Sequence, residues 1–176
     1  MRVSLFIYLS MMFPKEQLKI VETGTLEGIN AIEMAKVYPN SKIYTIDCYS
    51  EGNEGFMEKM FNNIKPFPQI EFIKEDSIKA ADRFDDLSQD YVYLDADHSR
   101  DFVYKEIIAW WDKVKWGGML AGHDWWYKDI KEAVIKLTLD NKLRLFYVGH
   151  VPTDLLSQEA ELCDWWIWKN EVTVSK

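Results

Sequence analysis

The chain has 176 residues, of which 48% are hydrophobic and 28% charged, with 21 basic against 29 acidic side chains and a formal net charge of −8 at pH 7. That length holds one domain with a core of its own, spanning residues 1–176, without disulfide or metal staples. The acid excess argues against a protein whose main work is gripping nucleic-acid phosphates or an anionic membrane, so neither partner is expected.

Residues 1–17 form a lead-in segment. Its run Val3–Phe13 resembles the apolar core of a signal peptide but is too short to span a bilayer as a helix. Pro14-Lys15-Glu16 follows with no small-x-small cleavage site, so the expectation is a lead-in helix or loop packed on the domain. Strand and helix patterns then alternate. Lys19–Thr23 reads as a short apolar strand, Ile29–Val37 as a helix stopped by Pro39-Asn40, and Lys42–Asp47 as a second strand. Phe56–Ile64 reads as a helix, Ile70–Ile73 as a strand, and a further helix starts at Ser77, a fair N-cap. Tyr91–Leu94 is strand-like and Phe102–Val114 is a long helix. Met119–Ala121 is a strand introduced by a Gly117-Gly118 turn, and Ile130–Leu139 is a helix. Leu143–Val148 and Leu162–Trp168 close the chain as strands with no helix between them. This order predicts an α/β fold: a doubly wound, mostly parallel seven-stranded sheet with an antiparallel strand at its C-terminal edge. Cys48 and Cys163 have no CxxC partner, and such sparse cysteine use fits a reducing, cytoplasmic setting.

Polar residues at the carboxyl ends of buried parallel strands lie in the crevice where open α/β sheets bind ligands. Two strand ends deliver such residues here: Asp95-Ala96-Asp97-His98 and His123-Asp124. Together they point to a hard-metal or acid–base site. The stretch Glu22-Thr23-Gly24-Thr25-Leu26-Glu27-Gly28 joins the first strand to the first helix. Gly24 allows a sharp turn and close approach of a ligand, and Gly28 allows close packing at the helix start. The G-x-x-x-G spacing is not the G-x-G-x-x-G of dinucleotide binders. That disfavours a nicotinamide-dependent oxidoreductase. Glu22 is placed to meet an ammonium group of a zwitterionic ligand, and Asp47 to accept hydrogen bonds from both ribose hydroxyls. Asp76 and Ser77 end the third strand at the height of an adenine ring, where Asp76 serves either the base or a helix cap.

The turn Glu22–Gly28 resembles the E-x-G-T-x-x-G turn of small-molecule O-methyltransferases related to catechol O-methyltransferase and to the metal-dependent sugar O-methyltransferases of macrolide and aminocoumarin pathways. The segment Tyr93–Trp125, with its Asp-x-Asp-His, helix, Gly-Gly and His-Asp, is similar to that group as well. The likeness spans roughly residues 18–170 in pattern and spacing. It implies a Rossmann-like class I methyltransferase fold, S-adenosylmethionine as cofactor, and a small-molecule or glycan acceptor methylated on a hydroxyl. It also implies a divalent metal, Mg²⁺ or Mn²⁺, held by Asp95, His123 and Asp124. His123 stands where relatives carry Asp, and an imidazole ligand shifts preference from Mg²⁺ towards Mn²⁺, Fe²⁺, Zn²⁺ or Ni²⁺. In the family the base lies two or three residues after the first metal Asp. Those positions are Asp97 and His98, with His98 preferred because imidazole titrates near 6.5 and Asp97 left to orient it or bind substrate. Trp125, beside the ligands, is a candidate substrate wall; Trp126 and the other tryptophan pairs read as core.

Relatives usually carry extra N-terminal helices. With few residues before the first strand, the acceptor side is expected to be open, completed in a homodimer, or fitted to a large glycan. Ser50–Gly55 and Gly149–Gln158 are candidate mobile loops, and His150 has no assigned role. A competing reading is a catalytically silent domain that binds a nucleoside or a protein partner.

Overall fold

Apolar strands alternating with helices that have one apolar face can bury both only by layering helices on either side of a sheet. The computed structural model, which describes residues 17–148 and 163–170, has that architecture. Strands β1 (Lys19–Thr23), β2 (Lys42–Asp47), β3 (Ile70–Lys74), β4 (Gln89–Leu94), β5 (Val114–Gly122), β6 (Leu145–Val148) and β7 (Asp164–Trp168) form one sheet in the order β3-β2-β1-β4-β5-β7-β6. The first five run parallel, and β7 is antiparallel to both β5 and β6. The antiparallel strand is therefore the last among the described residues, as expected, but it slots between β5 and β6, and β6 takes the edge.

Helices α1 (Ile29–Val37), α2 (Glu54–Ile64), α3 (Ser77–Ala80), α4 (Arg100–Trp111) and α5 (Lys128–Asp140) connect the strands. Every residue of β4 is buried, as a strand covered on both faces requires. On one face α4 and α5 lay Val103, Ile107, Trp110, Ile130, Ala133, Val134 and Leu137 against Val21, Val92, Leu120 and Ile167. On the other, Ala31, Met34 and Ala35 of α1 cover Ile20, Ile43, Tyr91 and Met119. The i, i+3, i+4, i+7 spacing of these helical residues is what turns a single stripe to the sheet. No helix among the described residues is long and apolar enough to cross a membrane.

Several boundaries differ from the sequence reading. The helix expected to reach Val114 ends at Trp111, and Val114 opens β5. Gly117 and Gly118 are not a turn before that strand but lie inside it, where the β4–β5 register shifts between Gln89 and Tyr91. The glycine pair stays bonded to the neighbouring strand, Gly117 N donating to Lys169 O (2.7 Å) and Lys169 N to Gly118 O (2.9 Å). A Cβ on Gly118 would come within 2.8 Å of Asp90 O, so the bulge needs glycine there. The helix at Ser77 is a single turn, followed by a 3₁₀ turn over Ala81–Arg83, and its cap is Asp76 rather than Ser77. Leu143 closes the turn after α5, its N–H donating to Thr138 O, and β6 begins only at Leu145. The lead-in segment up to residue 16, Gly149–Gln158, His150 and Leu162 lie outside the described residues.

Trp110 anchors the α4 layer. It is fully buried and its Nε1 donates to Ser77 O at 3.1 Å, tying α4 to α3. Trp110→Ala is expected to cost about 3–5 kcal/mol of stability, from the cavity and the lost hydrogen bond. Urea denaturation of the purified variant measures this.

Candidate active site

Three strands end level with one another. Thr23 of β1 pairs with Leu94 of β4, which pairs with Gly122 of β5. The ladder continues past the strands: Asp95 N donates to Thr23 O (3.1 Å), His123 N to Leu94 O (3.1 Å), and Gly24 N to Ile46 O (2.9 Å). The exits are thereby stapled side by side. Gly24 has φ +82°, and a Cβ there would sit 1.8 Å from the carbonyl oxygen of Asp95. The turn after β1 thus lies directly on the backbone that presents Asp95.

On the β1–β2–β3 side, the expected nucleoside residues divide into braces and exposed groups. Glu22 is 1% exposed, and its carboxylate accepts from Asn30 Nδ2 (2.6 Å) and Thr45 Oγ1 (2.7 Å). Thr45 in turn meets Thr25 Oγ1 at 2.7 Å, so Glu22 and Thr25 hold the turn from within rather than facing the crevice. Gly28, at φ +75°, caps α1, and a Cβ on it would press on Ile64 of α2 at 2.9 Å. Asp47 stays at the surface of β2's end. Its oxygens accept from Leu26 N (3.1 Å) and Tyr49 N (2.8 Å), both residues with positive φ. Asp76 Oδ1 accepts from Lys79 N (3.1 Å), which makes it a helix cap. Ser77 is buried behind it.

On the β4–β5 side the acids and imidazoles converge on Asp124, a residue at φ +58°, a left-handed backbone that Asp tolerates better than most residues. Its Oδ2 meets His98 Nε2 at 2.5 Å, while Oδ1 lies 3.0 Å from His123 Nδ1 and accepts from Trp126 Nε1 at 3.1 Å. Burial works against the Asp124 charge, yet the hydrogen bonds and charges of His123 and His98 hold its carboxyl well below the usual range. The same contacts raise both imidazoles. For His98 the hydrogen bond to Asp124 leads; for His123 burial pulls downward and the carboxylates of Asp124 and Asp95 outweigh it. Asp95, His98 and Asp124 each offer one ligating atom, all within 4.8 Å of one another. His123 lies deeper, its Nδ1 4.0 Å from Asp95 Oδ1. Asp97 Oδ1 accepts from Ser99 N (2.7 Å) and Oγ (2.5 Å), bonds that lower its pKa.

With this geometry in place, the comparisons fall into line. The sequence matches the model of a family described as a methyltransferase domain over residues 21–125, the stretch from β1 to the residue after Asp124. The chain belongs to that methyltransferase-domain family. Solved structures agree in fold. A precorrin-6y C5,15-methyltransferase of Geobacter metallireducens is similar over 92% of this chain and 84% of its own, with TM-score 0.68 and 16% identity. A SAM-dependent methyltransferase of Aquifex aeolicus matches over 92% and 86%, with TM-score 0.63 and 16% identity. A SAM-dependent O-methyltransferase of Thermotoga maritima matches over 94% of this chain and 64% of its own, with TM-score 0.66 and 18% identity.

The methyltransferase domain also has groups at the cluster that the sequence reading passed over. Trp125, the expected substrate wall, is 9% exposed, belongs to the core and stacks on Tyr147 with ring centres 5.0 Å apart. The rings beside the cluster are those of Trp126, bonded to Asp124, and Tyr127, stacked on His98 at 5.2 Å. The signal for both was their place two and three residues after Asp124. Beneath the cluster lies a small pocket, with about 10 Å³ for the centre of a water-sized particle. Its lining includes Asp95, His98, His123, Asp124, Trp165 and Glu106 of α4.

Two outcomes follow. Gly24→Ala is expected to cost more than the roughly 1–2 kcal/mol of a left-handed backbone alone, because its Cβ meets main chain that cannot rotate away; chemical denaturation measures it. In metal-free protein, His98 is expected to titrate above about 6.5, and Asp124→Asn to bring that midpoint down, as read by NMR. A raised imidazole pKa stabilises the fold fully below the unfolded value and loses that contribution as pH rises through the folded one. The stability gap between wild type and Asp124→Asn therefore narrows as pH rises through the His98 midpoint.

Proposed function

We propose that the chain is an S-adenosylmethionine-dependent methyltransferase acting on a hydroxyl of a small molecule or sugar. The observation that carries this reading is the seating of the Gly24 turn on the backbone of Asp95, which sets a nucleoside-type crevice and an acid–imidazole cluster edge to edge. S-adenosylmethionine supplies a methyl group on a sulfonium. In this reading Asp47 receives the ribose hydroxyls, exchanging its bond from Leu26 N, and Asp76 borders the adenine while capping α3.

The acceptor hydroxyl must lose its proton as its oxygen takes the methyl. His98 suits this role better than Asp97: its ring is partly exposed and bonded to Asp124, whereas the two bonds from Ser99 to Asp97 Oδ1 lower the proton affinity of that carboxylate. The raised proton affinity of His98 also suits a group that must hold the proton it takes. Tyr127 flanks His98 and offers an aromatic side to an acceptor ring.

A divalent cation fits the donor set, two carboxylates and one imidazole, and Asp95, His98 and Asp124 would hold it in place of the set with His123. Such an ion lowers the pKa of a bound hydroxyl and fixes its position. His98 would then be a ligand, which separates the two modes by experiment.

Calorimetry with S-adenosylhomocysteine tests the cofactor reading: saturable binding is expected, and no binding at millimolar ligand would sink it. A screen of hydroxyl acceptors for S-adenosylhomocysteine release then supplies the assay. Asp95→Ala and His98→Ala are expected to lower transfer about 10²-fold or more while leaving S-adenosylhomocysteine binding nearly unchanged. Transfer that persists in chelator retains His98 as base and removes the metal; transfer lost in chelator and restored by Mn²⁺ assigns His98 to the ion.

A further inference from the structure

The deepest polar group near the cluster is one that neither mode uses. Glu106 is 1% exposed, on the sheet-facing side of α4, and it lines the small pocket under Asp95, His123 and Asp124. A buried carboxyl without a partner is costly, so such groups are nearly always bonded to protein or to ordered water. Among the described residues, Glu106 Oε1 has no hydrogen-bond partner, and neither have His123 Nε2 or Trp165 Nε1. All three residues line the same pocket. The pocket has room for the centre of a water-sized particle, so a water fits.

The donors and acceptors match a single water. Trp165 Nε1 can only donate. The ionised Asp124 carboxylate can only accept, so a neutral His123 puts its proton on Nδ1 and leaves Nε2 as an acceptor. Glu106 Oε1 accepts as well. One water accepting from Trp165 and donating to His123 and Glu106 would satisfy every atom. Burial pushes the Glu106 carboxyl up to about 7; the neighbouring hydroxyls of Ser77 and Thr23 pull it down, although neither makes a hydrogen bond of good geometry among the described residues. Water can serve either form of it.

We propose that this pocket holds one ordered water that joins Glu106 to His123, and that Glu106 is thereby a positioning residue for Asp124. The chain of contacts then runs unbroken from the core to the crevice: Glu106, water, His123, Asp124, His98. The water and its three contacts stand apart from the methyl-transfer reading; only the use made of Asp124 rests on it.

A crystal structure of the wild-type chain with ordered solvent tests the site directly. One solvent peak is expected within hydrogen-bonding reach, roughly 2.7–3.2 Å, of Glu106, His123 Nε2 and Trp165 Nε1. A dry pocket with Glu106 bonded directly to Thr23 or Ser77, or a peak touching only one of the three, would overturn it. The positioning role is read in the ring ¹⁵N spectrum, where only three histidines contribute. Glu106→Leu is expected to shift the His123 Nε2 and His98 Nε2 resonances at fixed pH, and Glu106→Gln, which keeps an acceptor, to restore them. An unmoved His123 in Glu106→Leu overturns the positioning role. If Glu106→Leu does not fold, Glu106→Ala takes its place in the spectrum, and the wild-type solvent peak decides the site in either case. Neither readout needs cofactor, metal or acceptor, so failure of methyl transfer would leave both standing.

Discussion

The carbonyl of Asp95 and the α-carbon of Gly24 occupy one small space, and the rest of the site depends on that contact. A side chain at residue 24 would overlap the Asp95 main chain at 1.8 Å. With glycine there, the turn after β1 closes over the end of β4 and both are locked by hydrogen bonds that prolong the sheet. Parallel strands cannot be joined by hairpins, so their level ends meet only through such cross-strand staples. The braces Glu22, Thr45, Asn30 and Thr25 keep the turn rigid from below. The glycine turn after β1 and the acid–imidazole cluster after β4 and β5 thus share one floor.

That floor is crowded with acids, and its electrostatics follow from how they are offset. Asp95 and Asp124 lie close together at half-buried strand ends. Two carboxylates so close would raise one another's pKa, yet Asp124 is held firmly ionised by two imidazoles and an indole N–H. His123 supports Asp124 from the inside and His98 from the outside. The substitution of imidazole for carboxylate at residue 123, which looked like a flaw in a ligand set, acts here as internal support for Asp124. The third donor atom beside those of Asp95 and Asp124 comes from His98, at the other strand end.

Much of this was legible in the sequence where the signals are local. The bounds of β1, α1 and β2 were read to the residue, because Gly28 and Pro39-Asn40 punctuate them sharply. The seven strands, the mostly parallel sheet and the convergence of Asp95, His98, His123 and Asp124 were also expected. What failed depended on distant partners. Val114 to Gly118 looked like a helix end and a turn, but pairing with β4 and with Lys169 pulls it into β5. The insertion of β7 between β5 and β6 has no local signal. Glu106 was hidden in a charged stretch, although it stands three residues after Val103 and four before Trp110, on the stripe that faces the sheet. Trp125 was expected at the site and Trp126 in the core; after the left-handed residue Asp124 it is Trp125 that enters the core and Trp126 that bonds Asp124.

The central claim is that one crevice holds the methyl donor and the acceptor-activating cluster. A crystal structure of the chain with S-adenosylhomocysteine tests it most directly. The account predicts ribose hydroxyls on Asp47, the ligand lying along the Gly24 turn, and the sulfur facing Asp95, His98 and Asp124 with no side chain between. A ligand bound elsewhere, or one whose sulfur is walled off from that cluster, would contradict it.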